Sequence, residues 1–381
     1  MNIAMICTEK LPVPPIAGGA VQLYIEGVLP YISKQHRITV YSIQYPGLPD
    51  KEIRDNVRYI RIPGKTVTMY VNSLKARVDK AYDLVHVFNR PRTILSLMDT
   101  LPDTRLSLSL HNEMFHPEKI SLEDGARCIE RVEFINTVSK FIAGRVKTRF
   151  PSAEVKTNVV YSGANMTDYK PNWSVEGALN KLQLKKKFGI EDKRVVLFVG
   201  RLSQKKGVHV ILNAMKKVME SNPKTALVIV GSKWYGKNDS DDYTRSIMTL
   251  SKSLPGPIIF TGFIPPHSIP ALYNLGDIFV CASQWNEPLA RVHFEAMAAG
   301  LPIITTDRGG NAEVVDGYGN GMVIEEYKDC NIMAENINFL LKNPVKALEM
   351  GKRGRLLVEK KFNWERVANE IFKPAIISAK R

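Results

Sequence analysis

The sequence predicts an α/β protein made of two Rossmann-like domains, each a parallel sheet flanked by helices. Three observations carry that expectation. Short apolar runs alternate with amphipathic helical stretches along nearly the whole chain, as in parallel sheets covered by helices. The pattern lapses into polar and turn residues at 162–173 and then starts again. The chain has 381 residues, enough for two domains at roughly 150 residues each.

The elements follow in order. Residues 2–8 (NIAMICT) form a near-continuous apolar run, as in a strand buried on both faces. A Pro- and Gly-rich loop leads to Gly19, and a helix is expected from there to about Lys34. Further strands are expected at 38–43, 57–62, 84–88, 105–110, 134–138 and 155–161, before the linker. The second domain opens with a strand at 195–200 and a helix at 208–220. Strands at 226–231 and 258–260, a short helix at 267–275 and a strand at 278–282 follow. A helix at 288–299 and a strand at 302–305 complete the theme. The expected domains are 1–165 and 166–363, with a C-terminal helix at about 364–381 packing back on the first. Ligands of such sheets bind at the C-terminal strand ends, so the cleft between the domains is the expected site.

Hydrophobic residues make up 44% and charged residues 24%, which excludes global disorder, collagen and coiled coil. The opening MNIAMICTEKLPVPP does not read as a secretory signal, and no run approaches the ~20 apolar residues of a membrane span. Cys7, Cys128, Cys281 and Cys330 form no CxxC or metal spacing, so reduced thiols in a cytoplasm are expected. The net charge is +15, spread along the chain: residues 1–165 hold 22 basic and 16 acidic residues, the remainder 31 and 22. Such an excess suits an anionic partner (a nucleotide sugar, an anionic membrane or nucleic acid) or serves solubility alone. The absence of a nucleic-acid motif and the scarcity of interleaved aromatics argue against nucleic acid.

Three segments carry chemistry. Gly18 and Gly19 open a helix after the first strand, where glycine lets a backbone approach an anionic ligand. A tight strand-to-helix turn explains them equally well. Arg201 follows a buried strand and Lys206 stands five residues on. A guanidinium fork and a point charge together suit a diphosphate, and a solvated basic turn is the plainer alternative. In SQWNEPLARVHFEAMAAG, Glu287 precedes Pro288, which reads as the first residue of a helix running through Glu295. Eight helical steps would set the two carboxylates ~12 Å apart, suited to two ends of one polyhydroxy ligand. The amides of Leu289, Ala290 and Arg291 would face a diphosphate between them. Glu295 sits among Phe294, Ala296 and Met297 and needs polar partners, which ligand hydroxyls would supply.

These segments, GRLSQKKG, TGF, NEPLARVHFEAMAAGLPIITTD and GGNAEVV, resemble the retaining glycosyltransferases of the GT-B fold, family 4. Glu287 and Glu295 meet that family's E-x7-E spacing. The resemblance covers nearly the whole chain. At closer range, TEKLPVPP with GGA and EPLARVHFEAMAAG is similar to the spore-coat protein SA subgroup of Bacillus-type enzymes.

The resemblance implies roles. Arg201 and Lys206 would bind the diphosphate, Glu295 the ribose hydroxyls and Glu287 the donor sugar. Gly18 and Gly19 would lie near phosphate and acceptor, and His111 would reach the donor sugar. A capped, solvent-facing histidine is the alternative for His111. Gly262 and Phe263 would lie at the base, and Gly309, Gly310 and Glu313 beside the donor. Asn89 and Arg90, after a strand end, are candidates for the acceptor pocket. Arg201, Lys206, Glu287 and His111 form the expected catalytic set. The chain departs from the commoner EPFGLV form: Ala290 replaces a glycine and Arg291 adds a cation.

The expected activity is hexosyl transfer, with retention, from a nucleotide-diphosphate sugar. UDP is the first choice of base, and the acceptor is a glycan, lipid or protein, as in spore-coat or envelope glycan assembly. Neither cofactor nor metal is implied, the donor being a co-substrate. The D-x-D at 239–241 reads as solvated loop. The lysines of KLQLKKKFG (181–189) read as a membrane or nucleic-acid patch or, more plainly, with Leu182, Leu184 and Phe188 interleaved, as an amphipathic helix before the first strand of the second domain. Peripheral contact with an anionic membrane, or association with a spore coat, stays open beside the cytoplasmic setting. Two alternatives remain: an epimerase or hydrolase, which would need a further acid/base pair such as His111 and Glu113, and a non-catalytic coat protein.

Overall fold

The structure, a computed structural model, describes residues 1–64, 66–233 and 241–378. The chain divides into two compact units, Met1–Gly163 joined by the residues from Trp364 onward, and Ala164–Asn363. In the first unit the order is β1 (Asn2–Ile6), α1 (Ala20–Ile32), β2 (Arg37–Ile43), β3 (Lys51–Arg54), β4 (Val57–Ile62), α2 (Val67–Lys75) and β5 (Leu84–Phe88). It continues with α3 (Pro91–Leu97), β6 (Arg105–Leu110), α4 (Leu122–Arg131), β7 (Ile135–Thr137), α5 (Lys140–Arg149) and β8 (Thr157–Val159). The second unit holds α6 (Val175–Phe188), β9 (Arg194–Val199), α7 (Val208–Ser221), β10 (Thr225–Val230), α8 (Asp242–Ser251), β11 (Ile258–Phe260) and α9 (Ile269–Leu272). It ends with β12 (Ile278–Cys281), α10 (Val292–Ala298), β13 (Ile303–Thr306), β14 (Gly321–Ile324), α11 (Cys330–Lys342) and α12 (Pro344–Lys360). Two last helices, α13 (Trp364–Ile371) and α14 (Lys373–Ser378), belong to the first unit.

The first unit is an eight-stranded sheet in the order β3-β4-β2-β1-β5-β6-β7-β8, parallel except for the β3–β4 pair. Its central strands are apolar on both faces because helices cover both: Ile3, Met5, Leu84 and Val87 are fully buried. Gly27 on α1 leaves the space that Trp364 fills, since a Cβ there would stand 2.3 Å from the indole. That contact seats α13 on α1, and Asn136 fastens the same end by donating to the Ile371 carbonyl at 2.8 Å. The second unit is a six-stranded parallel sheet, β11-β10-β9-β12-β13-β14. Its core lies where β9, β10 and β12 meet α7 and α11, around Val196, Ile211, Met215, Leu227 and Ile337.

Three local expectations change. β3 (KEIR) has one apolar residue, and that residue is exposed. It exists because it pairs as an antiparallel edge with β4, a role charged residues suit. The strand expected at 155–161 shrinks to β8, because Pro151–Lys156 form a 3-10 turn and Val155 is 90% exposed. The helix expected from Pro288 begins only at Val292.

Candidate active site

In the second unit the loops after β9, β12 and β13 carry the residues of interest. β9 ends at Val199, and Gly200 and Arg201 follow. Gln204–Lys206 make one 3-10 turn, and Gly207 adopts φ +73° before α7. A Cβ at Gly207 would stand 1.9 Å from the Ala282 carbonyl, so only glycine lets this turn lie against the end of β12. The Gln284 amide donates to the Lys205 carbonyl at 2.8 Å and closes the two loops together.

This closure makes an ion pair. Lys206 Nζ donates to Glu287 Oε2 at 2.7 Å; the Glu287 side chain is buried and that of Lys206 is 17% exposed. Ser283 Oγ and Trp285 Nε1 donate to the same oxygen at 3.1 and 2.8 Å. Among the described residues every hydrogen bond Glu287 accepts through its side chain falls on Oε2, so Oε1 is unclaimed. The ammonium of Lys206 has three N–H groups and spends one on Glu287. Burial alone would lower the lysine pKa, but the adjacent carboxylate outweighs it and raises it. Burial works to raise Glu287, and Lys206, Trp285 and Ser283 instead hold it below the ordinary carboxylate range. Arg201 lies close enough that its charge opposes that of Lys206. The loops therefore present a cationic surface beside a fixed carboxylate oxygen, a pairing suited to an anion attached to a polyol.

The Glu287–Arg291 segment is held from outside. Gly309 (φ +67°) packs on the Glu287 backbone, where a Cβ would stand 2.0 Å from the Glu287 carbonyl, and the Gly310 amide donates to that carbonyl at 2.8 Å. Asn311 Oδ1 accepts from the Ala290 amide at 3.1 Å. These contacts delay the helix to Val292, which overturns the eight-step spacing of Glu287 and Glu295. The Ala290 amide is committed to Asn311 and does not face a ligand. Leu289 and Ala290 are both buried. His293 Nδ1 lies 2.9 Å from the Ala290 carbonyl and Nε2 2.9 Å from Thr305 Oγ1, tying the segment to β13. Gly309→Ala is expected to cut turnover about tenfold with the fold retained, since misplacing a binding group by ~1 Å can cost up to 10²-fold. Wild-type turnover in a folded Gly309→Ala protein would show that the Glu287 backbone position is not critical.

Glu295 has protein partners after all. Tyr273 donates to its Oε2 at 2.8 Å, and Arg291 lies 3.5 Å from Oε1. Gly262 (φ +71°) forms an antiparallel bridge with Gly231 at the end of β10, and the half-buried Phe263 follows it. Glu313 is in the 3-10 turn Asn311–Val314.

The remaining candidates are in the first unit. Gly18 (φ +89°) and Gly19 (φ +104°) precede α1. A Cβ on Gly19 would meet Gln22 Oε1 at 2.2 Å, and Gln22 in turn donates to Cys7 Sγ, Thr8 Oγ1 and the Leu11 carbonyl. Asn89 (φ +58°) is buried and accepts from the His111 amide at 2.9 Å. Arg90 makes a two-pronged pair with buried Glu9, at 2.8 and 2.6 Å. The His111 ring packs edge-on against Tyr24 at 4.6 Å. Glu113, which an epimerase would use, is paired with Arg145 at 2.5 Å. Asp239 lies outside the described residues, and Asp241 caps α8 by accepting from the Thr244 amide. Among the described residues no group of three metal-binding side chains gathers, and no helix is long and apolar enough to cross a membrane.

Sequence reasoning missed Ser283, Trp285, Tyr273, His293 and Asn311. Ser283 and Trp285 were within reach, standing beside Glu287 directly after a strand. Tyr273, His293 and Asn311 act on groups that only the folded chain brings near.

Two buried histidines make stability depend on pH. His86 of the first unit sits between Ser107 Oγ and Ser109 Oγ, both at 2.7 Å, and burial pushes its pKa down to about 3. Burial pushes His293 down to about 4. The unfolded chain takes up these protons below pH ~6.5 while the folded chain refuses them, so stability falls as the medium is acidified. Between pH 7 and 5 each histidine should remove about 2 kcal/mol, at up to 1.36 kcal/mol per pH unit. Carboxylates held low in the fold add to this only at lower pH. Urea unfolding at pH 7 and pH 5 checks the sign, and equal stability at both would refute it.

A family model for Glycosyl transferases group 1 matches residues 180–357. The chain is 45% identical over 372 residues to spore coat protein SA of Bacillus subtilis (strain 168), covering 97% of this chain and 98% of that protein. It is 43% identical, over 97% of this chain and 91% of the other, to the putative glycosyltransferase YtcC of the same organism. The crystal structure of Anabaena Alr3699/HepE in complex with UDP-glucose superposes with a TM-score of 0.79 at 18% identity, over the full length of both chains. That likeness is one of fold, and the fold is GT-B.

Proposed function

The chain belongs to the group 1 glycosyltransferases, and from that membership we propose that it moves a hexose, with retention, from a nucleotide-diphosphate donor to an acceptor. One observation supports this reading above the others. The Lys206–Glu287 pair leaves two ammonium N–H groups and one carboxylate oxygen unclaimed among the described residues. The ammonium suits the diphosphate and the carboxylate oxygen suits a sugar hydroxyl.

The C1–O bond to phosphate breaks through an oxocarbenium-like state, and negative charge grows on the leaving diphosphate. Lys206 and Arg201 stabilise that charge in place, without reorganising as the bond breaks. The acceptor oxygen bonds to C1 on the face the phosphate leaves, and its proton passes to the departing phosphate oxygen. Glu295, held by Tyr273 and Arg291, takes the ribose hydroxyls. His111 reaches the donor sugar, and Gly262 and Phe263 flank the base. Asn89 and Arg90 line the acceptor side, Arg90 held by Glu9 and Asn89 by the His111 amide. This chemistry asks for no metal and no cofactor.

A UDP-sugar is the donor to try first, because the Anabaena protein of the same fold was solved with UDP-glucose. The Bacillus relative is named a spore coat protein, and we place the acceptor, a glycan, lipid or protein, in spore-coat or envelope assembly. The test is nucleoside diphosphate release from a panel of UDP-, GDP- and ADP-sugars, with and without EDTA, beside Glu287→Gln. Release from one donor, indifferent to EDTA and lost in the variant, is the expected result. Release that the variant retains, or that EDTA abolishes, overturns the reading. Donor binding without release calls for an added acceptor extract, and no release with that extract also overturns it.

A further inference from the structure

Helix α6 is inside out. Its Lys181 and Lys185 point into the second unit, where they meet Asp277 at 3.0 and 3.9 Å. Three of its apolar residues, Val175, Leu179 and Leu182, point outward and are 79%, 56% and 61% exposed, while Leu184 and Phe188 are half-buried. The spacing of i, i+4 and i+7 aligns them in one stripe, and Lys186, at i+11, continues it. Lys186 and Lys187 are exposed at the C-terminal end of the helix. Glu176, the acidic residue of the helix, is paired with Lys170 at 3.2 Å. The exposed apolar stripe is thus one face of α6, while Lys181 and Lys185 serve as internal ion-pair partners.

We infer that this stripe is a docking surface for an anionic lipid bilayer. Three side chains are too small an area for a stable contact between two copies, which takes about 800 Å² from each partner. They are enough for shallow insertion into the headgroup region when lysines at the same helix end meet anionic lipid, and the chain as a whole carries +15. The inference is independent of the transfer reaction, and either can fail without the other.

The test is sedimentation of the full-length protein with vesicles of phosphatidylcholine, alone or mixed with phosphatidylglycerol. Wild type should pellet with the anionic vesicles and not with the neutral ones. The double variant Leu179→Gln/Leu182→Gln keeps the charge and should partition at least tenfold more weakly, since even partial loss of two inserted leucines exceeds the ~1.4 kcal/mol of a tenfold change. Lys186→Gln should give an intermediate loss. Unchanged thermal unfolding establishes that both variants are folded. Wild type that ignores anionic vesicles, or a folded double variant that pellets like wild type, overturns the inference. So does a wild-type dimer in sedimentation velocity that the double variant dissolves.

Discussion

Lys206→Met is expected to lower kcat/KM for the donor by about 10²–10³, as removal of one preorganised stabiliser of a developing anion does in other enzymes. The same substitution leaves Glu287 buried without its cation, and breaking such a pair costs about 3–5 kcal/mol of stability. The two effects are separable. Adding Glu287→Gln neutralises the stranded carboxylate while keeping its shape, so the double variant should recover much of the lost stability and none of the activity. Urea unfolding and donor turnover on the two single variants and the double variant measure both couplings. A Lys206→Met enzyme within threefold of wild type in kcat/KM would remove the lysine from the reaction.

Asp277→Ala is expected to destabilise the second unit by about 3–5 kcal/mol. The Asp277 carboxylate, 15% exposed, gathers Lys181 at 3.0 Å, Arg194 at 3.3 Å and Lys185 at 3.9 Å, and it accepts from the Val195 amide at 2.8 Å. Burial would raise its pKa, but the three cations hold it low. A carboxylate held low contributes stability above its unfolded pKa and loses it as the pH falls through the folded one. Removing it leaves three cations facing one another at the starts of β9 and β12. Lys206 and Glu287 follow the opposite ends of these strands, so turnover at low temperature should survive while urea unfolding shifts. A loss below about 1 kcal/mol would mean that the lysines swing out to water.

Much of the sheet architecture was legible because its strands are buried on both faces and read as apolar runs, NIAMI and LVHVF among them. The parts that were not legible depend on contacts distant in sequence. Pro288 signals a helix start, but Gly309 and Asn311 hold the residues after it in a loop. The Lys206–Glu287 pair joins residues 81 positions apart, and each was read as reaching for a ligand rather than for the other. Glu295, set among apolar neighbours, needs polar partners, and Tyr273 and Arg291 are near it in the fold rather than in the sequence pattern. In α6, the alternation of leucine and lysine fits either face inward, and Asp277 decides which. Asn89 and Arg90 stand at a strand end as expected, and their side chains turn to His111 and Glu9.

The most informative measurement is calorimetric titration of UDP, GDP and ADP into wild type, Lys206→Met and Glu295→Ala, with the matching nucleoside as control. One nucleoside diphosphate should bind wild type and bind each variant about tenfold or more weakly, as loss of a charge-assisted contact worth ~1.5–3 kcal/mol requires. The nucleoside, which lacks the diphosphate, should be weakened by Glu295→Ala and not by Lys206→Met. Equal affinity of all three proteins for the diphosphate would contradict the assignment of these residues to the donor.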